Sequence, residues 1–439
     1  MNHSLTIHDF GPIKDCVCQI KEFTVLTGPQ SSGKSTVAKA VYFFRTIKSD
    51  ILDLLKQGSP QIITGTKSAD WNFVIEQRLR NKFLELFGTS WVMPKDMTLS
   101  YHYSSTTNVK VYLTTDINER NFILFQFSQD ILNYISELEN RIFLNMLPEQ
   151  RQTEEKKLSK LFDDPYETVF IPAGRNLITL LSTQLNYIFT SLEGSQLRNI
   201  DYITRRYVEL ILSLKPLFSV GIQGLVAAAK DQPEQLKKTK PNQPAINRLI
   251  KKSNDILRGQ YRCVDGEERV YLDSKKYIKI NLSSSGQQEI VWVINLLFYY
   301  LYENKRVFLI IEEPESHLFP DSQQSIGELL SLFAAYRNQV LVTTHSPYLL
   351  GTFNYLLLAS QAGQFERDEA IKQVDKAYWL AVGNSAAYYI HDGVIDWAMD
   401  QEDGVSMIKN ELIDGASSEI NCKSEELLTL LYREAGDGF

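Results

Sequence analysis

The chain has 439 residues, too many for one compact hydrophobic core, which predicts a core with an insertion or a second lobe. Apolar residues make up 44% and charged residues 23%, values that exclude a disordered or collagen-like chain. The net charge of -7 excludes a global attraction for nucleic acid, so any such binding would require a local patch.

Cysteine usage and hydropathy indicate a compartment. The four cysteines are too few and too scattered for a disulfide framework, which favours reduced thiols. The N-terminal residues lack a basic leader followed by an apolar stretch, and no later run approaches the ~18 apolar residues of a membrane span. We therefore expect a cytoplasmic location and no membrane segment.

The first 165 residues contain two kinds of pattern. Residues 5–26 form short β segments, the last of which leads through a glycine-bounded loop into a helix from about Lys34. Residues 61–165 mix an amphipathic helix at 71–88 with several alternating strand candidates and a further helix. This second stretch is predicted to be an α/β insertion.

The middle of the chain returns to strand character at 168–171 and is then helical by periodicity from 177 to 229. A polar break with three prolines follows, which indicates a helical arm with a loop near its tip. From Ser283 the pattern is loop, helix, buried strand, helix, buried strand, as in parallel sheets with crossover helices.

These patterns predict five segments. They are an N-terminal lobe at 1–60, the α/β insertion at 61–165, a lobe return with a helical arm at 166–260, a C-terminal lobe at 261–350, and an oligomerisation or partner-binding region at 351–439.

The loop GPQSSGKS fits the eight-position phosphate-loop pattern and has a buried strand before it and a helix after it. This context disfavours the alternative of a chance glycine-rich turn. Its glycines let backbone N–H groups turn toward phosphates, Lys34 reaches the β- and γ-phosphates, and the Ser35 hydroxyl ligates Mg²⁺. The predicted ATP contacts are Gly28, Pro29, Gln30, Ser31, Ser32, Gly33, Lys34, Ser35 and Thr36.

A second motif is the apolar strand at 307–311, which ends in Glu312 and Glu313. Strand C-termini meet the ligand crevice in parallel sheets, so Glu312 is predicted to bind Mg²⁺ and Glu313 to act as general base. Taken alone, the pair is equally a solvated strand end. The neighbouring motifs decide between the two interpretations.

Two further motifs flank these carboxylates. LSSSGQQE at 282–289 opens a helix, and THSP at 344–347 follows the next apolar strand. LSSSGQQE resembles the signature motif of ABC-type ATPases, EPESHLFPD at 313–321 resembles their D-loop, and His345 resembles their switch histidine. The alternatives for the isolated motifs are a helix cap for the serines and a core histidine for His345.

The resemblance implies an α/β fold, an ABC-type ATPase head with a mixed β-sheet and crossover helices. It also implies two copies that sandwich ATP between the phosphate loop of one and the signature loop of the other. A helix N-terminus with serine hydroxyls is a suitable anion site for a γ-phosphate. The implied signature contacts are Ser283, Ser284, Ser285, Gly286 and Gln287, and the implied catalytic residues are Lys34, Glu313 and His345.

Several features differ from transporter ATPases. The signature lies roughly 250 residues after Lys34, and Glu312 stands where many ABC proteins carry Asp. HDFGPIKD, FIPAGR and IIEEPESHLFP resemble stand-alone ATPases related to Rad50, SMC and overcoming-lysogenization-defect proteins. Among these, the ATPase subunits of the Septu, retron and PARIS anti-phage systems act with a nuclease partner.

That resemblance implies a sensor or scaffold that controls a separate effector. The motivating observation is that the histidines form no H-N-H pattern and that no D-x-D pattern follows the ATPase motifs, so no nuclease module is evident in the sequence. A Rad50-like or SMC-like DNA-repair ATPase is the alternative, although the predicted arm is short and broken by prolines. An importer ATPase is a third possibility, against which the differences from transporters count.

Three other features leave alternatives open. Arg175 is a candidate γ-phosphate or inter-subunit contact, or else a structural arginine that caps its loop. Gln126 is a candidate for the Q-loop glutamine without a specific signal. Residues 237–262 contain eight basic side chains and one acidic one, which is either a solvated face or an arm that contacts nucleic acid or an acidic partner.

Overall fold

The computed structural model describes most of the chain, including all four predicted motifs. The described residues are 3–65, 70–90, 93–115, 121–139, 141, 146–180, 200–231, 242–402, 404–413, 415 and 421–427.

The strands of the described residues form one large sheet and two small ones. The bounds are β1 His3–Phe10, β2 Ile13–Ile20, β3 Phe23–Thr27, β4 Thr98–His102, β5 Asn108–Thr115, β6 Asn121–Phe127, β7 Glu167–Ile171, β8 Gln260–Val264, β9 Glu267–Tyr271, β10 Tyr277–Lys279, β11 Val307–Glu312, β12 Gln339–Thr344, β13 Ser385–His391, β14 Val394–Trp397, β15 Met399–Glu402 and β16 Val405–Ile408. The large sheet has the order β6-β5-β4-β1-β2-β14-β13-β3-β12-β11-β7.

The helices of the described residues cover this sheet. They are α1 Lys34–Arg45, α2 Ile47–Gln57, α3 Pro60–Thr64, α4 Trp71–Phe87, α5 Gln129–Glu139, α6 Pro148–Leu161, α7 Arg175–Leu180, α8 Tyr202–Leu214, α9 Gly221–Asp231, α10 Gln243–Leu257, α11 Ser285–Tyr302, α12 Pro320–Ala335, α13 Pro347–Phe365 and α14 Arg367–Gln373.

The parallel part of the sheet carries the predicted motifs. Strands β13, β3, β12, β11 and β7 run parallel, with Val25 opposite Val342 and Ile310 opposite both Leu341 and Phe170. Every residue of β3, β11 and β12 is buried, as continuous apolar strands are when helices cover both faces. The carboxyl ends of these strands therefore meet at one edge, and the predicted α/β fold with crossover helices is confirmed.

Alternate residues of β11 divide the core into two layers. Phe308 and Ile310 pack in a cluster with α1, α2, α4 and α5, whereas Leu309 and Ile311 pack with α8 and α10 to α13. Helix α11 is buried around most of its circumference, so it is a core helix and not a surface helix. Packing of α11 against Leu309 and Ile311 of β11 therefore fixes the helix on one face of the sheet.

Strands of the 61–165 stretch extend the same sheet. Strand β4 pairs antiparallel with β1, placing Ile7 opposite Leu99, and β5 and β6 continue the antiparallel wing. Alternating buried and exposed residues on β5 fit one covered and one open face. The predicted α/β composition is present, but its strands share the hydrogen-bond ladder of the head.

The boundary predicted at residue 350 does not coincide with the sheet. Strand β13 lies beside β3, with Tyr388 opposite Leu26, and β14 reaches β2. The short alternating segment at 385–397 gives no signal of which strand it pairs with, because that pairing spans more than 350 residues. This part of the C-terminal region belongs to the centre of the head.

The predicted arm is seen in part. Helices α8, α9 and α10 are present, while the polar break at 232–241 lies outside the described residues. Among the described residues, Tyr202–Ala228 alone has the length and apolar composition of a membrane span, with 33% of its most apolar window buried. Tyr207, Val208 and Ile211 of this stretch pack in the core, and core helices meet the same criterion.

Candidate functional site

The phosphate loop connects β3 to α1 and depends on its two end glycines. Gly28 has φ 145° and Gly33 has φ 110°, which are left-handed conformations. A Cβ on Gly28 would overlap the carbonyl oxygen of Ile390 on β13, and one on Gly33 would overlap the side chain of Ile13. Glycine is therefore required at both positions, where the loop passes close to β13 and to the start of β2.

Lys34 begins α1 and turns back over the loop. Its Nζ donates to the carbonyl oxygens of Gly28 at 2.9 Å and Pro29 at 2.7 Å. Burial lowers the pKa of Lys34, while the nearby charges of Glu313 and Glu315 raise it. The ammonium is therefore bonded to the loop and lies in the electrostatic field of two carboxylates that follow β11.

The other loop residues leave side chains available to solvent. Pro29, Gln30, Ser31 and Ser35 are exposed, and Ser31 adopts φ 62°. An exposed loop of small polar residues that leads into a helix is suited to an anion. The predicted contacts Ser32 and Thr36 are half-buried beside them.

The two carboxylates of β11 differ in environment. Glu312 is buried, and its Oε2 accepts from Ala173 N at 3.3 Å. Its Oε1 is buried without a hydrogen-bond partner. A buried acceptor of this kind is costly unless a cation or water satisfies it, so Glu312 fits a Mg²⁺ ligand.

Glu313 follows directly in a strained backbone conformation. Its φ is 43°, and its N–H donates to Thr343 O at 2.9 Å on the neighbouring strand. Non-glycine residues at positive φ cluster at active sites, where the surroundings hold the strain. The turn directs the Glu313 carboxylate toward His345, whose Nε2 lies 3.4 Å from Glu313 Oε1.

Glu315 is a site residue that the sequence interpretation did not single out. Its Oε1 accepts from Thr344 Oγ1 at 2.6 Å and from His345 N at 2.9 Å. The carboxylate therefore fixes the loop that carries His345. The only sequence signal was its place inside the EPESHLFPD resemblance.

The signature residues form the N-terminus of α11. Ser284 Oγ accepts from Gln287 N at 3.3 Å, and Gln287 Oε1 accepts from Ser284 N at 3.2 Å, a capping box. Ser283 Oγ donates to Ile280 O at 2.7 Å. Ser284 thus performs the helix-cap role that was the alternative, although Ser284 and Ser285 both remain exposed.

Gly286 links the signature to the segment resembling a D-loop. A Cβ at this position would lie 2.7 Å from the carbonyl oxygen of His317, so the close approach requires glycine. Gln323 then donates to Leu318 O at 2.8 Å and accepts from Ser346 Oγ at 2.5 Å. One chain of contacts joins the signature, the D-loop segment and the loop that carries His345.

Arg175 is placed differently from a nucleotide contact. The side chain is 0% exposed and pairs with Glu289, whose side chain is 1% exposed. Its guanidinium donates to the carbonyl oxygens of Pro172, Glu312 and Glu313 at 2.8, 2.6 and 2.9 Å. This placement favours the structural alternative over the candidate ATP contact, because the donors are already occupied by backbone acceptors.

The segment after β7 and the Q-loop candidate Gln126 lie at opposite ends of the large sheet. Strand β7 lies next to β11, so the segment Pro172–Arg175 follows it at the edge of the site. Gln126 is on β6, the last strand at the opposite side of the sheet. Gln126 is therefore excluded as a Q-loop residue by distance along the sheet.

The basic segment is partly neutralised within the chain. Arg248 donates to Asp375 at 2.7 and 3.2 Å, Lys252 pairs with Glu328, and the guanidinium of Arg262 lies 4.8 Å from the ring centroid of Tyr271. Lys251 and Arg258 are exposed, whereas Lys237, Lys238 and Lys240 lie outside the described residues. The described residues of this segment, 242–262, therefore resemble a solvated face with internal ion pairs more than an arm whose basic side chains are all available to a partner.

Comparisons with known proteins place the chain in a family. The family model described as an AAA ATPase domain matches residues 1–350. No curated protein matches the sequence.

Among solved structures, three SMC heads are similar at low identity. A head bound to the C-winged helix domain of ScpA is 12% identical, with coverage of 92% of this chain and 96% of that chain and a TM-score of 0.36. A Pyrococcus furiosus head with an extended coiled coil, bound to the C-terminal domain of ScpA, is 14% identical over 95% and 98%, with a TM-score of 0.37. A Thermotoga maritima head domain is 12% identical over 93% and 98%, with a TM-score of 0.35.

The family match spans the phosphate loop, the two carboxylates of β11, the signature segment and His345. The phosphate loop, the two carboxylates and His345 follow the carboxyl ends of the adjacent parallel strands β3, β11 and β12, whereas the signature segment begins α11. The chain belongs to the AAA ATPase domain family.

Proposed function

We propose that this protein binds and hydrolyses ATP at composite sites between two copies, and that the cycle switches a separate effector. The observation that carries the proposal is the grouping of Lys34, Glu313 and His345 at one sheet edge. The exposed signature residues Ser284 and Ser285 lie at the start of α11, on another segment of the same chain. A second protomer would bring these two halves together.

The phosphate loop supplies the binding step. Lys34 exchanges its bonds to Gly28 O and Pro29 O for phosphate oxygens, which are stronger acceptors because they are charged. Ser35 and Glu312 would hold Mg²⁺, which neutralises charge on the phosphates and supplies electrostatic stabilisation of the transferred group. Within the described residues no group of three or more His, Cys, Asp and Glu forms a metal centre, so phosphate oxygens and water would complete the coordination.

Glu313 and His345 supply the hydrolytic step. Glu313 accepts a proton from the attacking water, and the nearby imidazole holds the carboxylate in position through its Nε2. Glu315 accepts a hydrogen bond from the His345 backbone, so it fixes the histidine that in turn contacts Glu313. The water oxygen bonds to the γ-phosphorus as the bond to the β–γ bridging oxygen breaks, so the products are ADP and inorganic phosphate.

The surface around the site suits a second copy. Leu282 in the signature motif, Phe319 in the D-loop segment and Tyr348 after His345 are 73%, 72% and 57% exposed. Large exposed apolar side chains on these motifs favour an interaction surface. Loss of the γ-phosphate would remove the charge that joins the two protomers.

A complementation experiment tests the composite site. Lys34→Ala removes phosphate binding, and Ser285→Glu places a carboxylate where the partner's γ-phosphate would lie. Each variant alone should be inactive, whereas a mixture should recover ATP turnover, because mixed dimers contain one intact site. A mixture that stays inactive, or a Ser285→Glu protein as active as wild type, would show that the site is not shared.

The effector belongs to the finer part of the proposal. The resemblance to ATPase subunits of anti-phage systems supports control of a separate nuclease or toxin in defence. Incubation of the purified chain with duplex DNA, ATP and Mg²⁺ or Mn²⁺ tests this separation. DNA cleavage that survives in Lys34→Ala and copurifies with the chain would contradict it.

A further inference from the structure

The Arg175–Glu289 pair is the most completely bonded charged group near the site. Glu289 accepts from Arg175 N at 3.1 Å and Asn176 N at 3.1 Å, and its carboxylate lies 3.1 Å from Arg175 Nε. Arg175 Nε also donates to Glu289 O at 3.2 Å. Two buried charges are held together here by at least four contacts.

The pair connects two functional segments of the chain. Glu289 lies in the first turns of α11, three residues after Gly286. Arg175 begins α7 after β7, and its guanidinium donates to the carbonyl oxygens of both Glu312 and Glu313. A single buried guanidinium therefore joins the signature helix to the peptide that carries the predicted base.

The bonds act on strained backbone. Glu313 has φ 43°, and the 2.9 Å bond from Arg175 Nη2 to its carbonyl oxygen is one of the restraints on that conformation. On the other side, Glu289 also lies 3.6 Å from His317 Nδ1, and His317 has φ 59°. Displacement of the Glu289 carboxylate would thus reach the D-loop segment as well as the base.

We infer that Arg175 and Glu289 are positioning residues that serve two composite sites at once. In each protomer the pair holds Glu313 for the site on its own phosphate loop and holds α11 for the site on the partner's phosphate loop. This inference rests on the proposed function, because only a shared site separates the two tasks between different nucleotides.

Mixed dimers distinguish this role from simple local support. In a dimer of Lys34→Ala and Ser285→Glu chains, the intact site takes its phosphate loop and Glu313 from the Ser285→Glu chain. It takes its signature from the Lys34→Ala chain. Arg175→Lys can therefore be added to either chain, so that its effect on the base and its effect on the signature are measured separately.

We expect Arg175→Lys to lower turnover of the mixed dimer by roughly tenfold in either chain, since lysine cannot span the carbonyl oxygens and Glu289 together. Binding of a fluorescent ATP analogue to the Ser285→Glu chain should change by less than about threefold, because Arg175 does not contact the loop. Glu289→Gln, which removes charge but keeps shape, should reproduce both effects.

Arg141→Lys and Glu154→Gln are the matched controls. Arg141 pairs with the buried Glu154 at 2.7 Å on α6, away from the site, and these changes should leave turnover unaltered. Thermal unfolding identifies any variant that does not fold, in which case Glu289→Gln and Glu289→Asp replace it.

Two results overturn the inference. If Arg175→Lys acts only in the Ser285→Glu chain, the pair is local support for Glu313; if it acts in neither chain, it has no positioning role. Failure of the proposed function looks different, because the mixed dimer without further substitutions would then be inactive.

Discussion

His345 Nε2 lies 3.4 Å from Glu313 Oε1, across the ends of the adjacent parallel strands β12 and β11. Both side chains are about one third exposed, at 34% and 39%. The pair is therefore accessible to a water molecule and to a phosphate, while Glu315 and Arg175 hold the backbone on which it stands. The contacts of this region, and those of His3 in the core, have consequences that mutation can measure.

Glu313→Gln should lower ATP turnover by about 100-fold or more, because the amide cannot accept the proton of the attacking water. Nucleotide binding should persist, since Lys34 and the loop are unchanged, and an ATP-bound dimer should accumulate. Turnover assays and light scattering with ATP and Mg²⁺ measure both effects. Glu369→Gln, at an exposed pair with Lys372, is the control. Wild-type turnover by Glu313→Gln would exclude it as the base.

His345→Ala should lower turnover by about 10-fold to 100-fold while nucleotide binding stays close to that of wild type, since the imidazole contacts the base and not the loop. Single-turnover assays with saturating ATP separate this loss from binding. His102→Ala, on the exposed face of β4, should have no effect. Unchanged single-turnover rates in His345→Ala would contradict a role for this side chain.

Gly28→Ala should abolish ATP binding, because the new Cβ would overlap the Ile390 carbonyl and the φ of 145° is unfavourable for alanine. Equilibrium binding of an ATP analogue measures the loss. Gly383→Ala is a matched control, since a Cβ there meets no atom within 4 Å. If Gly28→Ala bound ATP as wild type does, the loop would have to tolerate a conformation different from the one described.

Stability should fall on acidification because of His3. Burial, and then the Arg45 charge, lower its pKa from 6.5 to about 3, so the unfolded chain binds the proton first as the pH falls. The stabilising contribution is fully present above pH 6.5 and is lost below it, by about 2 kcal/mol between pH 6.5 and pH 5. Urea unfolding of wild type and His3→Gln at both pH values measures the difference.

The control for this measurement is His102→Gln, because His102 is exposed at the end of β4. A His3→Gln protein whose free energy of unfolding falls with pH as steeply as that of wild type would assign the acid sensitivity to other groups. Asp164 and Arg45 face His3 from neighbouring elements, and their charges are included in the expected shift.

Local sequence predicted the parts of the site that local sequence builds. The strand, loop and helix around Lys34 and the apolar strand before Glu312 are written in consecutive residues, and the structure contains both. In the structure, the D-G sequences that begin at Asp265 and Asp392 form turns at positive φ between paired strands. Periodicity and turn chemistry act over a few residues, so a single sequence reveals them.

The remaining features depend on pairings between distant segments. Arg175 appeared available to a phosphate because the sequence does not show that Glu289, 114 residues later, occupies its guanidinium. The role of Glu315 could not be predicted, because its partners Thr344 and His345 lie at the end of the next strand. The position of β13 beside β3 could not be read from its seven residues, because the partner strand lies near the N-terminus.

That position of β13 has a consequence for how the protein is made. The Ile390 carbonyl closes one side of the phosphate loop, although the loop itself is complete by Lys34. During synthesis the ribosome must therefore release almost nine tenths of the chain before the nucleotide loop acquires its lasting neighbour. A nascent chain that ends before Ile390 therefore has a phosphate loop open on one side, and a fragment that stops at residue 350 would lack a strand from the middle of its sheet.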